Sequence, residues 1–347
     1  MSGAVHLFFV ISGFVVTRSL VQVLDGKFAS GPEAIIAALK SFYVRRCFRI
    51  LPAAYVTLAL GFAVFIFAKG LFFPEVFPRA LASATFTLNY TLQAAPSETF
   101  IWYWSLAVEE HFYLLIPFLL VGARSNRSRL LASIGGISLV ALVLRPAFAT
   151  MGYPEYPYIR IVSHLQFDFL LAGAAIYFLS QNSWYQSIRP SFLEGRSKTT
   201  LLINAGLLGL LWVVPAAMGA AISAKMVVLL AITSALVYFA SFERGYISKL
   251  FTSSDLILWF GSRSFSLYLA HGLAFNLNVP LWQKLAPVFG MELAATPMLA
   301  QTLSVFLMAG VVAEMCYRWI ELPFIHRGRA ISQEILSDRP ASLKRVA

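Results

Sequence analysis

Charge is scarce in this chain of 347 residues: 12% are Asp, Glu, Lys or Arg, while 59% are apolar. A soluble domain carries about twice that charge. With a mean hydropathy of +0.74, the shortage excludes a soluble globular enzyme, a disordered chain and a coiled coil. Cysteine is scarcer still. Cys47 and Cys316 have neither CxxC nor metal-ligand spacing, so no disulfide framework and no metal site is read. Acidic residues are the rarer charge, 16 against 27 Lys and Arg, for a net charge of +11. In a soluble protein that balance would suggest nucleic acid. Here the basic residues fall in short clusters between apolar runs, which is what membrane topology demands, and no nucleic-acid partner is read. Internal repeats and low-complexity stretches are absent too.

What the sequence has in abundance is long apolar runs. They are continuous rather than alternating, which excludes an outer-membrane barrel and predicts helices. Nine spans are predicted, over 4–24, 52–73, 102–121, 129–149, 161–180, 200–216, 224–241, 257–279 and 298–320. The first has no basic leader region and no A-x-A cleavage site, so it reads as a span and not as a signal peptide. The segments 25–51, 122–128, 181–199 and 242–256 and the C-terminal tail, with Arg129 at a span boundary, hold 18 basic residues, and the alternate side holds four, counting Lys69 at a span end. The positive-inside rule then places the first set and the tail in the cytoplasm, at an inner membrane. It also puts the start of the chain outside, which predicts a further helix before it. The expected division is a transmembrane domain over 1–325 and a basic cytoplasmic tail over 326–347.

Several ionisable residues fall inside these spans, where each costs roughly 2.5–3.5 kcal/mol at mid-bilayer. In the third span Ser105, Glu109 and Tyr113 are spaced i, i+4, i+8 and share a face, with Trp104 beside them and Glu110 and His111 on neighbouring faces. One carboxylate could be a helix-to-helix bridge; three adjacent ionisable groups favour a polar cavity. In the fifth span Arg160, His164 and Asp168 have the same spacing and predict one polar stripe, either a salt-bridge ladder or a functional face. Ser264, Tyr268 and His271 share a face of the eighth span as cavity candidates. In the ninth, Glu314, Arg318 and Glu321 suggest an internal ion-pair set, with Pro323 ending the helix. Just before the second span, Arg46 and Arg49 lie one turn apart. They read either as a topology anchor or as a phosphate clamp, since a guanidinium fork suits phosphate better than an ammonium does.

Those stretches carry a family resemblance. Residues 3–14 (GAVHLFFVISGF), 46–52 (RCFRILP), 104–113 (WSLAVEEHFY), 166–173, 264–271 (SFSLYLAH) and 317–323 (YRWIELP) are similar, in order, to the signature motifs of the acyltransferase-3 family of bacterial membrane O-acyltransferases. The resemblance implies a ten-helix bundle, here with nine spans and without its first helix. It implies transfer of an acyl group, often acetyl, from cytoplasmic acyl-CoA to a hydroxyl, commonly of a surface or secreted polysaccharide, with no permanently bound cofactor. It assigns the coenzyme A phosphates to Arg46 and Arg49. The family's base histidine sits on a helix that would precede Met1, so the resemblance names no catalytic residue here. Glu109, Glu110, Tyr268 and His271 remain cavity candidates for the chemistry, and Trp104, Ser105, His111, Tyr113 and Asp168 for the substrate cavity. His6 stands where the family has an acid, His111 replaces a Gln, Phe265 a Tyr and Gln166 an Arg. The first span also presents Ser12, Gly13 and Thr17 on a face suited to close helix contact, and the absent first helix is its expected neighbour. Two other readings stay open: a transporter or flippase, which would also bury Glu and Arg, and a catalytically incomplete remnant.

Overall fold

The computed structural model describes residues 3–91, 99–153, 158–217, 222–242, 245–247, 254–292 and 296–337. The described residues form helices joined by turns, with no strand among them. In chain order the helices are α1 (Ala4–Leu24), α2 (Pro32–Ala63), α3 (Phe73–Ala84), α4 (Leu88–Thr91), α5 (Tyr103–Gly122), α6 (Asn126–Ser138), α7 (Arg145–Thr150), α8 (Phe167–Ser180), α9 (Ser197–Ala217), α10 (Ile222–Ser241), α11 (Asp255–Ser262), α12 (Ser264–Leu285), α13 (Met298–Cys316) and α14 (Leu322–Ser337). Single π-helical stretches, Val64–Ala68, Leu139–Leu144 and Tyr317–Glu321, extend α2, join α6 to α7 and join α13 to α14.

Among the described residues, seven stretches are long and apolar enough to cross a membrane, and they coincide with seven of the predicted spans. The protein is an all-helical, multi-pass membrane protein. The other two predictions change form. The span predicted over 161–180 helps build only the shorter helix α8, because the polar run Arg160, Ser163, His164 and Gln166 takes a 3-10 turn, Ser163–Leu165, and the α-helix starts at Phe167. Arg160, His164 and Asp168 therefore do not form one helical stripe. The span predicted over 257–279 is broken at Arg263, between α11 and α12. There the Ser262 hydroxyl bonds back to the carbonyls of Leu258 and Trp259, and the Arg263 side chain turns to Glu314.

Two predicted boundaries also move. α2 begins at Pro32, twenty residues before its predicted start, with Pro in its first turn, Glu33 beside it, and good helix formers following. The basic stretch around Arg46 and Arg49 is therefore helical. Nor does Pro323 end a helix. It lies at the start of α14, directly after the π-helical stretch, where the altered hydrogen-bond register absorbs the N–H that proline lacks.

The chain divides into two compact units. The first comprises residues 1–22, 89–96 and 104–257. Its tightest contact is between α1 and α8. A Cβ on Gly13 would stand 1.9 Å from the Leu170 carbonyl oxygen, and one on Gly173 would stand 2.0 Å from that of Val10. Glycine at both positions lets the two backbones touch, the device that substitutes for a hydrophobic driving force inside lipid. On the small-residue face of α1, Gly13 thus packs against α8, and Ser12 bonds Tyr113 on α5. Behind this contact a cluster of Tyr185, Leu193, Phe242 and Tyr246 closes the loop side of α9 and α10.

The second unit comprises residues 23–88, 97–103 and 258–347. Here α14 packs along the first half of α2. Ser41 and Ser332 share a hydrogen bond of 2.7 Å, and Gly328 admits the Phe48 ring. The helices α12 and α13 pack side by side, and α12 also meets α2.

Candidate active site

In the first unit the predicted face of α5 is buried and connected. Trp104, Ser105, Glu109 and Tyr113 are each at most 4% exposed. The Tyr113 hydroxyl donates to Glu109 Oε2 at 3.0 Å, the i, i+4 contact that the spacing predicts. Tyr113 has a single proton to give, so the Ser12 hydroxyl, 2.8 Å away, donates to it in turn. The result is a chain from α1 to α5, Ser12 to Tyr113 to Glu109, ending on a carboxylate. Such a chain can accept a proton at one end and orient a hydroxyl at the other.

Asp168 lies in the first turn of α8, where the helix dipole favours an anion. Its carboxylate oxygens both accept from Arg145 Nη2 at 2.9 Å, and both side chains are fully buried. The same Nη2 donates to the Leu165 carbonyl at 2.6 Å. Asp168 is therefore half of an internal ion pair, a partnership that sequence reasoning missed. The signal was present: Arg145 is a lone arginine inside a run of apolar residues, and a charge at that depth needs a partner. His6, singled out in the sequence for standing where the family has an acid, is buried beside this pair. Its ring is 3% exposed and packs 4.5 Å from Phe169, with Gln166, Arg145 and Arg160 as polar neighbours.

His111, half-buried, bonds Ser163 Oγ through Nδ1 at 2.6 Å, and Asn89 donates to the same hydroxyl at 2.7 Å. Glu110 is half-buried one position before it on α5.

The remaining predicted residues belong to the second unit. Tyr268 donates its hydroxyl to the Trp102 carbonyl, and His271 Nδ1 bonds the Tyr268 carbonyl. A carbonyl can only accept, so Nδ1 carries the proton and Nε2 is the basic nitrogen. The Trp102 segment is held by Phe100, a buried residue with a left-handed backbone (φ +57°) that costs about 1–2 kcal/mol outside glycine. Its ring packs 4.9 Å from Phe65, and Gly272 leaves room for the Trp102 indole.

Lower on α12, Ser266 donates to Glu321 at 2.6 Å, and Arg49 lies in the field of that carboxylate. Arg46 sits half-buried with its guanidinium 5.6 Å from the centre of the Phe42 ring, and Arg49 is exposed. The set predicted for α13 holds in part. Glu314 does pair with Arg318, and it also takes Arg263 and the Trp259 indole N–H, each at 2.9 Å. Glu321 turns away from that set to Ser266.

Ser266 and His271 are five residues apart on one helix, about 7.5 Å along its axis. The second unit thus places an exposed guanidinium, a hydroxyl–carboxylate pair and a tautomer-fixed imidazole along α12 and its neighbours. The first unit holds the buried carboxylate chain and the Arg145–Asp168 pair.

Comparison with known proteins gives this arrangement a context. A peptidoglycan O-acetyltransferase of Listeria monocytogenes is 26% identical over 93% of this chain and 51% of its own length. A putative O-acetyltransferase of Staphylococcus aureus is 24% identical over 93% of this chain and 52% of its own. The chain spans about half the length of these curated relatives. An uncharacterized protein of Haemophilus influenzae is 30% identical, over 57% of this chain and 84% of its own length. No solved structure matches. The family described as an acyltransferase domain matches residues 1–313, nine-tenths of the sequence, so the chain belongs to the acyltransferase-3 family.

Proposed function

We propose that this protein transfers an acetyl group from acetyl-CoA to a hydroxyl of a carbohydrate at the bacterial inner membrane. The observation that carries the reading is the Ser12–Tyr113–Glu109 chain, buried in apolar helices and drawn from two separate family motifs. Acyl transfer to an alcohol needs a hydroxyl oriented toward a thioester carbonyl, a route for its proton, and donors for the oxyanion. A buried hydroxyl chain ending on a carboxylate supplies groups of that kind where water does not compete. In the second unit Arg46 and Arg49 take the coenzyme A phosphates, with the guanidinium fork matching their oxygens. The relatives named as O-acetyltransferases support acetyl as the group moved, and the peptidoglycan relative supports a carbohydrate acceptor.

The test uses membranes containing the full-length protein, acetyl-CoA labelled in the acetyl group, and cell-wall or capsular polysaccharide. Label recovered in polysaccharide, and released by mild base as an ester should be, is the expected result. Tyr113→Phe should lower the rate about tenfold or more while leaving acetyl-CoA binding unchanged. Acetyl-CoA binding without any labelled ester, together with movement of a carbohydrate across the membrane, would replace the enzyme with a transporter.

A further inference from the structure

The first unit holds a cavity that the polar groups described above do not use. Its volume is about 510 Å³, within the range of ligand sites, and it lies between α1, the end of α8, the turn after it and the end of α10. Its two ends differ in chemistry. Near the middle of α1 the wall is apolar, with Ile11, Phe14 and Val15 facing Val237. Further along α1 the wall turns polar, with Arg18 and Gln22 joined by Gln181 and Gln186 from the segment that follows α8. Ile11 and Gln22 are about 16 Å apart along the helix axis.

The cavity also opens sideways. Ile11, Val15, Arg18 and Gln22 are spaced i, i+4, i+7, i+11 and form one stripe of α1. All four are exposed, Ile11 by 43% and Val15 by 46%. On a helix that crosses a membrane, an exposed apolar stripe faces lipid tails. The polar end lies where the chain enters 181–199, a segment that its basic residues place in the cytoplasm. The cavity therefore runs from hydrocarbon to the inner surface of the bilayer. Its charge is one-sided as well. Among the described residues that line it, Arg18 is the only charged one, and there is no carboxylate.

We propose that this cavity binds an anionic phospholipid of the inner leaflet, with the phosphate at Arg18 and an acyl chain along Val15 and Ile11. Polar end, apolar end and lateral opening follow the order of such a molecule in its own leaflet. A guanidinium meets two phosphate oxygens at once, and glutamine amides offer donors and acceptors to the hydroxyls of a glycerol headgroup. Basic pockets between membrane helices on the cytoplasmic side suit anionic headgroups for these reasons. A zwitterionic lipid brings an ammonium as well, and the lining has no carboxylate to receive it. Net charge thus selects phosphatidylglycerol over phosphatidylethanolamine. A soluble polyanion such as coenzyme A matches less well: its several phosphates would share one arginine, and its polar body would leave the apolar stripe to be covered by something else. The site stands independently of the acetyl-transfer reading.

The test is native mass spectrometry of the full-length protein in neutral detergent. It is titrated with palmitoyl-oleoyl phosphatidylglycerol, with the matching phosphatidylethanolamine, and with glycerol phosphate as the soluble anion. Phosphatidylglycerol should bind about fivefold more tightly than phosphatidylethanolamine, and glycerol phosphate should not bind. Arg18→Gln should remove the preference, and Arg18→Lys, which keeps the charge, should retain it. Val15→Trp fills the apolar end and should weaken both lipids alike, with helical circular dichroism unchanged in all three variants. Equal affinity of the unaltered protein for the two lipids, or a preference that survives Arg18→Gln, overturns the site. So does unchanged binding of both lipids in Val15→Trp. Glycerol phosphate binding as tightly as the lipid would make the cavity a site for a soluble anion. Dissociation of a second copy of the chain by Val15→Trp would make it a protein interface. Either result replaces the lipid.

Discussion

The Arg145–Asp168 pair makes a quantitative claim. Both side chains are fully buried, and one guanidinium nitrogen serves two carboxylate oxygens and the Leu165 carbonyl. Removing either partner strands the other charge in an apolar interior, which costs about 3–5 kcal/mol. That is about 2 to 3.5 orders of magnitude in the folding equilibrium. Removing both leaves only neutral backbone groups short of a partner, the Leu165 carbonyl and the first-turn N–H of Phe169, about 1–3 kcal/mol. Arg145→Met and Asp168→Leu should therefore each be more damaging than the two changes combined, with a coupling energy of about 3 kcal/mol or more. The assay is equilibrium unfolding in mixed detergent micelles, followed by helical circular dichroism, for the three variants and the parent. If the double variant is no more stable than the worse single variant, the two charges do not act as a pair, and Asp168 returns to the candidates for direct contact with substrate.

Gly13→Ala and Gly173→Ala each place a Cβ about 2 Å from a backbone oxygen that no rotamer change can move. Each should cost about 1–3 kcal/mol or more by forcing α1 and α8 apart, whereas Gly206→Ala, with open space around its Cβ, should be neutral in the same thermal-unfolding assay. Arg46→Lys and Arg49→Lys keep charge and lose the planar fork. Equilibrium dialysis with labelled acetyl-CoA should show weaker binding for both, and unchanged affinity would reduce the pair to a topology anchor. A reporter active only in the periplasm, fused after Arg345, should be silent, and strong activity there would invert the topology drawn from the basic residues.

Much of this architecture was legible because lipid leaves the backbone few options: a long apolar run must be helical. The i, i+4 partnership of Glu109 with Tyr113 could be read directly, since both residues sit on one helix. Partnerships between helices could not. Arg145 and Asp168 are 23 residues apart and on different elements, so the fifth span suggested Arg160 as the neighbour of Asp168 along a helix that does not form there. Glu321 was assigned to Arg318 by spacing, but the π-helical stretch around it alters the register and gives it to Ser266. Hydropathy also misjudged the ends of α2 and α14. It measures affinity for lipid, and a helix that leaves the membrane while still packed on another helix loses the apolar signal without losing its backbone geometry.

That continuity has a consequence in length. Pro32–Ala68 is 37 residues and Met298–Ser337 is 40, which at 1.5 Å per residue is about 55 and 60 Å. The hydrocarbon core of a bilayer is only about 30 Å thick. Close to half of each helix therefore stands clear of the hydrocarbon as a two-helix stalk, pinned by Ser41 with Ser332 and by Phe48 against Gly328. Arg45, Arg46 and Arg49 ride on one leg of the stalk, and Arg327 and Arg329 on the other. On a loop, each residue ordered by an arriving ligand would cost about 1–2 kcal/mol in backbone entropy. On the stalk the backbone is ordered beforehand, so a polyanion meeting these arginines spends its attraction on affinity and none of it on folding the segment that carries them.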